Sequence, residues 1–431
     1  MDPTLAGTKK RPRHPSSSSR APTTGQCLEH DILCIIFSSL DLFDLVRCSV
    51  VCKSWNAAIN KSKLLQVFYL KQKEMGFVSF SNRSTSTEHS LNMYLEDIAM
   101  ERHRLALTEG LVDVDQWRGH SVGVNQCRMK RGLLLTGVGD KVIRLWSLEN
   151  YKCVEEYSTP DAAPLVDFDF DESKIVGLLG TRICIWRRNG TRSIFPSCEG
   201  TFSKGLRMRY FDPEAVVGCE DGTARVFDMY SKNCSRIIRM HAGPVTCLCL
   251  SEDQLILSGS SLGTISISGL SSDQQIAKLR SRDSTDLKAL CFNPRSHLLF
   301  AGSSAGNMSC WDLRTMRILW ENRVSPNVLY SIQHLQNDSS TLVVGGIDGI
   351  LRILNQNTGE VVSRMILEGN TSSSRDKIGV VERRKGRRLA EDTHIDSIPR
   401  TGRSPITCLA VGMKKVVTTH NWKNIRLWKF S

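Results

Sequence analysis

Apolar residues recur with two different periods along this chain, and the change of period divides it. Between residues 27 and 61 they fall three or four apart: Leu28, Ile32, Leu33, Ile36 and Leu40, then Leu45, Cys48, Val51, Cys52, Trp55 and Ile59. Such spacing puts them on one face of a helix, and Asp41, between the two groups, is suited to cap a second helix. The expectation is a small all-α unit of three short helices, which buries too little surface to stand without a partner or a neighbour. Residues 62–109 follow, with helical stretches at 64–70 and 91–102 around a polar, serine-rich loop, and read as a helical linker. From residue 110 onward apolar and polar residues alternate in short runs between tight polar turns, the two-residue period of strands. Residues 215–219, the turn 220–222 and residues 223–228 give one such strand, turn and strand.

The strand pattern repeats. Aligning the copies on one position gives Trp146, Trp186, Phe227, Ser268, Trp311, Leu354 and Trp428, of which the first six stand 40 to 43 residues apart. A period of about 40–45 residues with this ending marks the blades of a β-propeller. The count predicts a mainly β fold of seven blades over residues 110–431. The last interval is 74 residues long. Its excess, 370–403, is rich in Ser and Arg and reads as a disordered basic insertion in the seventh blade. Only three strands fit in that blade up to Trp428, so its outer strand has to come from elsewhere. Residues 111–117, just ahead of the first copy, are suited to fill the place.

Charge and cysteine content adjust this picture at its edges. The net charge is +13, and residues 1–26 and 370–405 each contribute +4 of it. Residues 1–26 lack apolar periodicity and are expected to form a disordered basic tail. The basic clusters at 9–13 and 383–388 suggest residence in the nucleus, alone or shared with the cytoplasm. Fifteen cysteines without a secretory signal argue for a reducing compartment and free thiols. No Cys or His pair has zinc spacing, and no apolar run nears the ~18 residues of a membrane span. No Gly-rich phosphate loop, nucleophile elbow or metal cluster is visible, so no catalytic residue, cofactor or metal is assigned.

Residues 28–61 resemble an F-box, on Leu28, Asp31-Ile32-Leu33, Ile36, Leu40, Asp44-Leu45 and the run Val50-Val51-Cys52-Lys53-Ser54-Trp55. Glu29 stands where that family usually has Pro. Residues 110–431 resemble a WD-repeat propeller, and together the chain is similar to F-box/WD-repeat proteins, the substrate receptors of SCF-type E3 ubiquitin ligases. The resemblance implies an F-box that docks on a Skp-family adaptor, and through it on a cullin and a RING subunit. It implies a propeller that holds the protein to be ubiquitinated, and a chain that is not itself an enzyme. On the adaptor side it points to Leu28, Ile32, Ile36, Leu40, Leu45, Val51, Cys52 and Trp55. It also implies a structural tetrad in the first copy, His120, Thr136, Asp140 and Trp146, running from His through Asp and Thr to the indole N–H. The seventh copy has Trp422 in the place of the turn Asp, so that blade is expected to lack the chain and to rest on strand pairing and apolar packing.

Relatives that read phosphorylated partners do so with Arg residues at two places per blade, early in the innermost strand and just before the turn Asp. Here the first place holds Asn125, Asp167, Arg207, Thr246, Lys288, Tyr330 and Thr407, and the second includes Glu220. The substrate face is therefore assigned to Asn125, Asp167, Arg207, Glu220, Lys288 and Tyr330. With Asp167 and Glu220 opposing two cations, it is not expected to depend mainly on phosphate. The alternative is a nuclear WD-repeat scaffold or RNA-associated adaptor without a ligase role. The basic segments favour it. The folded part shows no aromatic-rich basic stripe, so nucleic acid is not expected as the primary ligand.

Overall fold

The structure is a computed structural model that describes residues 29–65, 67–68, 71, 87–160, 163–188, 190, 192–194, 203–272, 274–368, 380–399 and 403–431. The expected tail at 1–26 lies outside these residues. The chain divides into two units, the first ending at Glu101 and the second beginning at Arg102.

In the first unit three short helices, α1 (His30–Ser38), α2 (Leu42–Ser49) and α3 (Lys53–Lys61), precede α4 (Thr87–Thr108), which runs on into the second unit. Glu29 is the N-cap residue of α1, with φ at −62°. A proline ring would fix nearly the same value, so the departure from Pro loses pre-organisation and keeps the geometry. Asp41 caps α2, its carboxylate accepting from the Asp44 N–H at 2.7 Å. The core is made of Leu33, Phe37, Leu42, Leu45, Ala58 and Ile59, joined by Leu65 and by Ile98 of α4, and of these only Leu33, Leu45 and Ile59 belong to the stripe read from the sequence. Trp55 closes it edge-on against Phe37, with ring centroids 5.3 Å apart.

In the second unit the repeats form seven four-stranded antiparallel blades, as their period predicts. Blade 5 is typical, running outward through Leu287–Asn293, Leu298–Ser303, Asn307–Asp312 and Arg317–Arg323. Alternation buries side chains on both faces of each blade, so the apolar clusters lie between neighbours. Val176, Leu178 and Ile185 of blade 2 pack with Met208, Val217 and Phe227 of blade 3. This packing holds the degenerate copies in the ring.

Blade 7 takes Cys408–Gly412, Lys415–Thr419 and Asn424–Phe430 from the end of the chain and its fourth strand from Val112–Arg118, with Val114 opposite Trp428. The other edge of Val112–Arg118 is paired too. Val381–Leu389 lies along it, and the far edge of that strand pairs with Val361–Leu367, the outer strand of blade 6. Blades 6 and 7 thus share one nine-stranded sheet.

This corrects the expectation of a disordered insertion at 370–403, of which 380–399 is described and holds a strand and a short 3₁₀ turn. The segment is basic, but it alternates. Lys385 faces Asp113 and Arg383 faces Asp115 across the ladder, opposite charges at directly opposed positions. Arg388, on the half-buried face, donates to the carbonyls of Ala106, Leu107 and Gly110 at 2.9–3.2 Å. Those carbonyls are at the C-terminus of α4, where the unpaired acceptors and the helix dipole favour a cation. Gly386 permits the close approach, since a Cβ there would lie 2.5 Å from Val112 Cγ1.

A chain beginning at residue 119 would leave Asn424–Phe430 and Val381–Leu389 with bare edges. It would also lose the burial of Val112, Val114 and Trp117, each worth roughly 1.5–3 kcal/mol. Its melting temperature is expected to fall by ~10 °C or more relative to a chain beginning at 102. Equal melting temperatures would show that closure does not need this strand.

Candidate interaction surfaces

The helical unit separates its apolar residues into two sets. Ile32 and Ile36 are each 44% exposed, Ile35 68%, Val51 62% and Val50 81%, while the core described above is complete without them. Of the residues expected on the adaptor side, Ile32, Ile36, Val51 and Cys52 are exposed. Leu45 is fully buried, and Leu40 and Trp55 pack against the same core. Leu45 therefore holds the unit together instead of presenting a surface, whereas Leu40 and Trp55 are half-buried against the core. A single apolar stripe cannot tell the two faces of so small a bundle apart. Leu28 lies outside the described residues. The sequence reading missed Ile35 and Val50, whose signal was adjacency: each doubles a neighbouring apolar position and makes the stripe too wide for one face.

The tetrad of blade 1 is present in a different order. His120 stands in the middle, with Nδ1 2.8 Å from Asp140 and Nε2 2.8 Å from Thr136. The Trp146 indole N–H donates to the same Thr136 oxygen at 2.8 Å. Burial by itself would raise the Asp140 carboxyl, but hydrogen bonds from His120 and Arg144 outweigh it and hold it well below the usual range.

Other blades rebuild parts of this chain from other residues. In blade 4 His241 bonds Ser258 at 2.9 Å, and Thr264 takes the turn Asp's place at 3.0 Å. In blade 6 Ser325 donates to Asp348 at 3.0 Å, and the buried Arg352 pairs with the same carboxylate. Blade 7 corrects the expectation that it lacks a chain. The Trp428 indole donates to Thr418 at 2.9 Å, Thr418 lies 2.8 Å from His420 Nε2, and His420 Nδ1 lies 3.1 Å from the Pro405 carbonyl. The buried indole needs an acceptor, and His420, just past the strand that carries Thr418, supplies the continuation.

A cavity of about 220 Å³ lies among the innermost strands of the ring, lined by Arg207, Lys288 and Tyr330 together with Gln126, Arg128 and Arg209. Three of the six residues assigned to the substrate face meet here, and three do not. Asn125 falls where its strand bulges between Val124 and Gln126, and Gln126 takes the lining position. Asp167 is wholly buried in the wall, accepting from the Phe168 and Met208 N–H groups and from Arg128 at 3.0 Å and Arg209 at 3.3 Å. Glu220 is exposed on its turn and does not line the cavity. The bulge alone does not decide which residues line it, since Lys288 and Tyr330 stand at the same bulge of their own strands and do line the cavity. Arg128 and Arg209 were missed, although both sit two residues beyond lining positions and so share their side of the strand. A shallower hollow of about 450 Å³ lies at the far ends of the first two inner strands, and its Lys130 is already paired with Asp169 at 2.9 Å. Among the described residues no group of three or more His, Cys, Asp or Glu is placed to share a metal ion.

Comparison with known proteins agrees with this architecture. The F-box domain model matches residues 26–66, and the WD domain, G-beta repeat model matches 232–267 and 273–312. An F-box/WD-40 repeat-containing protein of Arabidopsis thaliana is 56% identical over 436 residues, covering 96% of each chain. The chain belongs to the F-box/WD-repeat family. F-box domains generally bind Skp-family adaptors and WD-repeat domains bind protein partners, and members of the family are generally non-catalytic adaptors. The angio-associated migratory cell protein of Homo sapiens is 24% identical over 315 residues, 64% of this chain and 70% of that one. The crystal structure of a computationally designed protein, Ika8, superposes with a TM-score of 0.54 at 20% identity over 73% of this chain and 98% of that one, a likeness of fold alone.

The buried histidines make stability depend on pH. Burial pushes His241 down from 6.5 to about 4 and holds His420 well below its ordinary value. The folded state keeps them neutral while the unfolded chain takes up protons near 6.5, so the stabilisation is full above that pH and is lost as pH falls. The perturbed carboxylates, such as Asp221 at about 2, act lower. The melting temperature is expected to decline between pH 6.5 and 4, and to decline less in His241→Gln. A flat wild-type profile across that window would count against neutral buried histidines.

Proposed function

We propose that this protein is the substrate-recognition subunit of an SCF-type E3 ubiquitin ligase, its helical unit binding a Skp-family adaptor and its propeller binding the protein to be ubiquitinated. One observation carries the reading: Ile32, Ile35, Ile36, Val50 and Val51 stand exposed on a unit whose own core is complete. Exposed apolar side chains in this number mark a protein contact, and suit a partner that lays its own apolar side chains over them. The adaptor supplies the link to cullin and RING subunits, and this chain contributes recognition without chemistry of its own.

The rival reading as a nucleic-acid adaptor draws on the basic segments. Two of the outward cations of Val381–Leu389 stand opposite Asp113 and Asp115 across the ladder, and Asp115 is itself paired with Lys429 at 2.5 Å, so the charge of that strand is offset only in part. Nuclear residence is proposed on residues 9–13 alone, because 383–388 lies within a paired strand. Deleting 1–26 is expected to shift a fluorescently tagged chain toward the cytoplasm, and an unchanged distribution would remove the proposal.

The adaptor reading is tested by the double variant Ile35→Asp, Val51→Asp. Both side chains are exposed, so the helical content should be kept while adaptor binding falls by roughly a hundredfold. Leu45→Asp should instead unfold the helical unit, separating loss of surface from loss of fold. Adaptor bound as tightly by a folded Ile35→Asp, Val51→Asp chain as by the wild type would refute it.

A further inference from the structure

The junction between blades 7 and 1 brings two cysteines together. Cys127 stands on Val124–Lys130, the inner strand of blade 1, and Cys408 on Cys408–Gly412, the inner strand of blade 7. These strands belong to different sheets and meet through side chains, Cys127, Leu134 and Trp146 packing with Cys408, Ala410 and Val417. Cys408 Sγ lies 3.5 Å from the Cys127 carbonyl oxygen, and the two thiols are within hydrogen-bonding reach of each other. The Arg128 guanidinium donates to the same carbonyl at 3.0 Å and lies 3.7 Å from Cys408 Sγ. Its other nitrogen pairs with Asp167 at 3.0 Å. A cation so placed favours a thiolate at Cys408. The bond from Cys127, with Arg128 behind it, pulls the Cys408 thiol well below its ordinary value against burial and Asp167. The same bond, together with burial, holds Cys127 above its own. Cys408 lines the axial cavity, whose volume of about 220 Å³ has room for several molecules the size of water. Cys127 is wholly buried and does not line it.

We propose that Cys127 and Cys408 are a dithiol that a hydroperoxide oxidises to a disulfide across the seam of the ring. The Cys408 thiolate attacks one peroxide oxygen. An S–O bond forms, the O–O bond breaks, and the leaving oxygen takes a proton and departs as water or an alcohol. Cys408 is then a sulfenic acid. The Cys127 sulfur attacks the Cys408 sulfur, the S–S bond forms, the S–O bond breaks, and hydroxide leaves as water with the Cys127 proton. Two thiols thus give two electrons to one peroxide, and two equivalents of a small thiol reverse the change. The bridge links residues 281 apart in the chain. It ties blades 7 and 1 at their inner strands, where only side chains hold them. Other thiols at the cavity lack this arrangement. Cys249 and Cys291 stand near each other, but burial pushes them up to about 11 and about 12, which keeps both protonated.

The proposal is independent of the receptor reading above. The test treats the full-length chain with hydrogen peroxide, blocks the remaining thiols with N-ethylmaleimide in denaturant, and maps peptides by mass spectrometry without reductant. A Cys127–Cys408 link is expected to form before any link between Cys249 and Cys291. It should raise the melting temperature by roughly 5 °C, and dithiothreitol should undo both changes. In Cys127→Ser the link is absent and dimedone labels Cys408 as a sulfenic acid. In Cys408→Ser neither the link nor labelling of Cys127 is expected. Absence of the link at a dose that oxidises the exposed Cys52 would overturn the proposal. So would equal linkage of Cys249 to Cys291, or dimedone labelling of Cys127 in Cys408→Ser.

Discussion

The strand Val112–Arg118 is hydrogen-bonded along both edges, and the second unit depends on that double pairing. A ring of blades leaves its first and last members as neighbours with no covalent link. A strand from ahead of the first repeat, laid beside the last one, converts that seam into a ladder. Here the same strand also accepts Val381–Leu389 on its outer edge, which carries the ladder across to blade 6. The edge that would otherwise stay open becomes the middle of a nine-stranded sheet. Asp113 and Asp115 matter for this reason: on an edge they would be solvated, and in the middle they fix which basic residues stand opposite.

The polar interior of the propeller follows one rule, applied with different residues. A buried indole or imidazole is given a partner in blades 1, 4 and 7, because a buried polar group without one costs more than the bond it would make; the Trp117 indole N–H and His103 Nε2 are exceptions among the described residues. Blade 1 meets the rule with the full set around His120. Blade 4 replaces the turn Asp with Thr264, blade 6 replaces the His with Ser325, and blade 7 reaches Pro405 through His420. The repeats can drift in sequence because the rule concerns satisfied donors and not residue names. The apolar clusters between blades carry the packing in either case.

The helical unit solves a different problem. It has few residues with which to bury a core and must also keep an apolar face outside. Leu33, Phe37, Leu45 and Ile59 form its core, and Ile35, Val50 and Val51 stay exposed. α1 and the turn after α2 therefore carry more apolar surface than the unit's own packing requires. That excess width separates a docking module from a bundle that is finished by itself.

The sequence by itself determined the seven-bladed ring, the helical unit ahead of it and the closing role of residues 111–117, because period and strand count depend only on order along the chain. The Asp41 cap and the His120, Thr136, Asp140 and Trp146 set were legible for the same reason: each lies within one repeat or one helix boundary. What lies across repeats was not legible. The basic insertion looked disordered by composition, and only its neighbours, Asp113, Asp115 and the carbonyls at the end of α4, show why it folds. Asn125 and Asp167 were misplaced, and Arg128 and Arg209 missed, since lining positions are set by which blades meet at the axis. Leu45 and Ile35 exchanged roles because a stripe of apolar residues does not say which side will find the core. Those assignments belong to the tertiary structure: they depend on distances between residues whose separation along the chain carries no information.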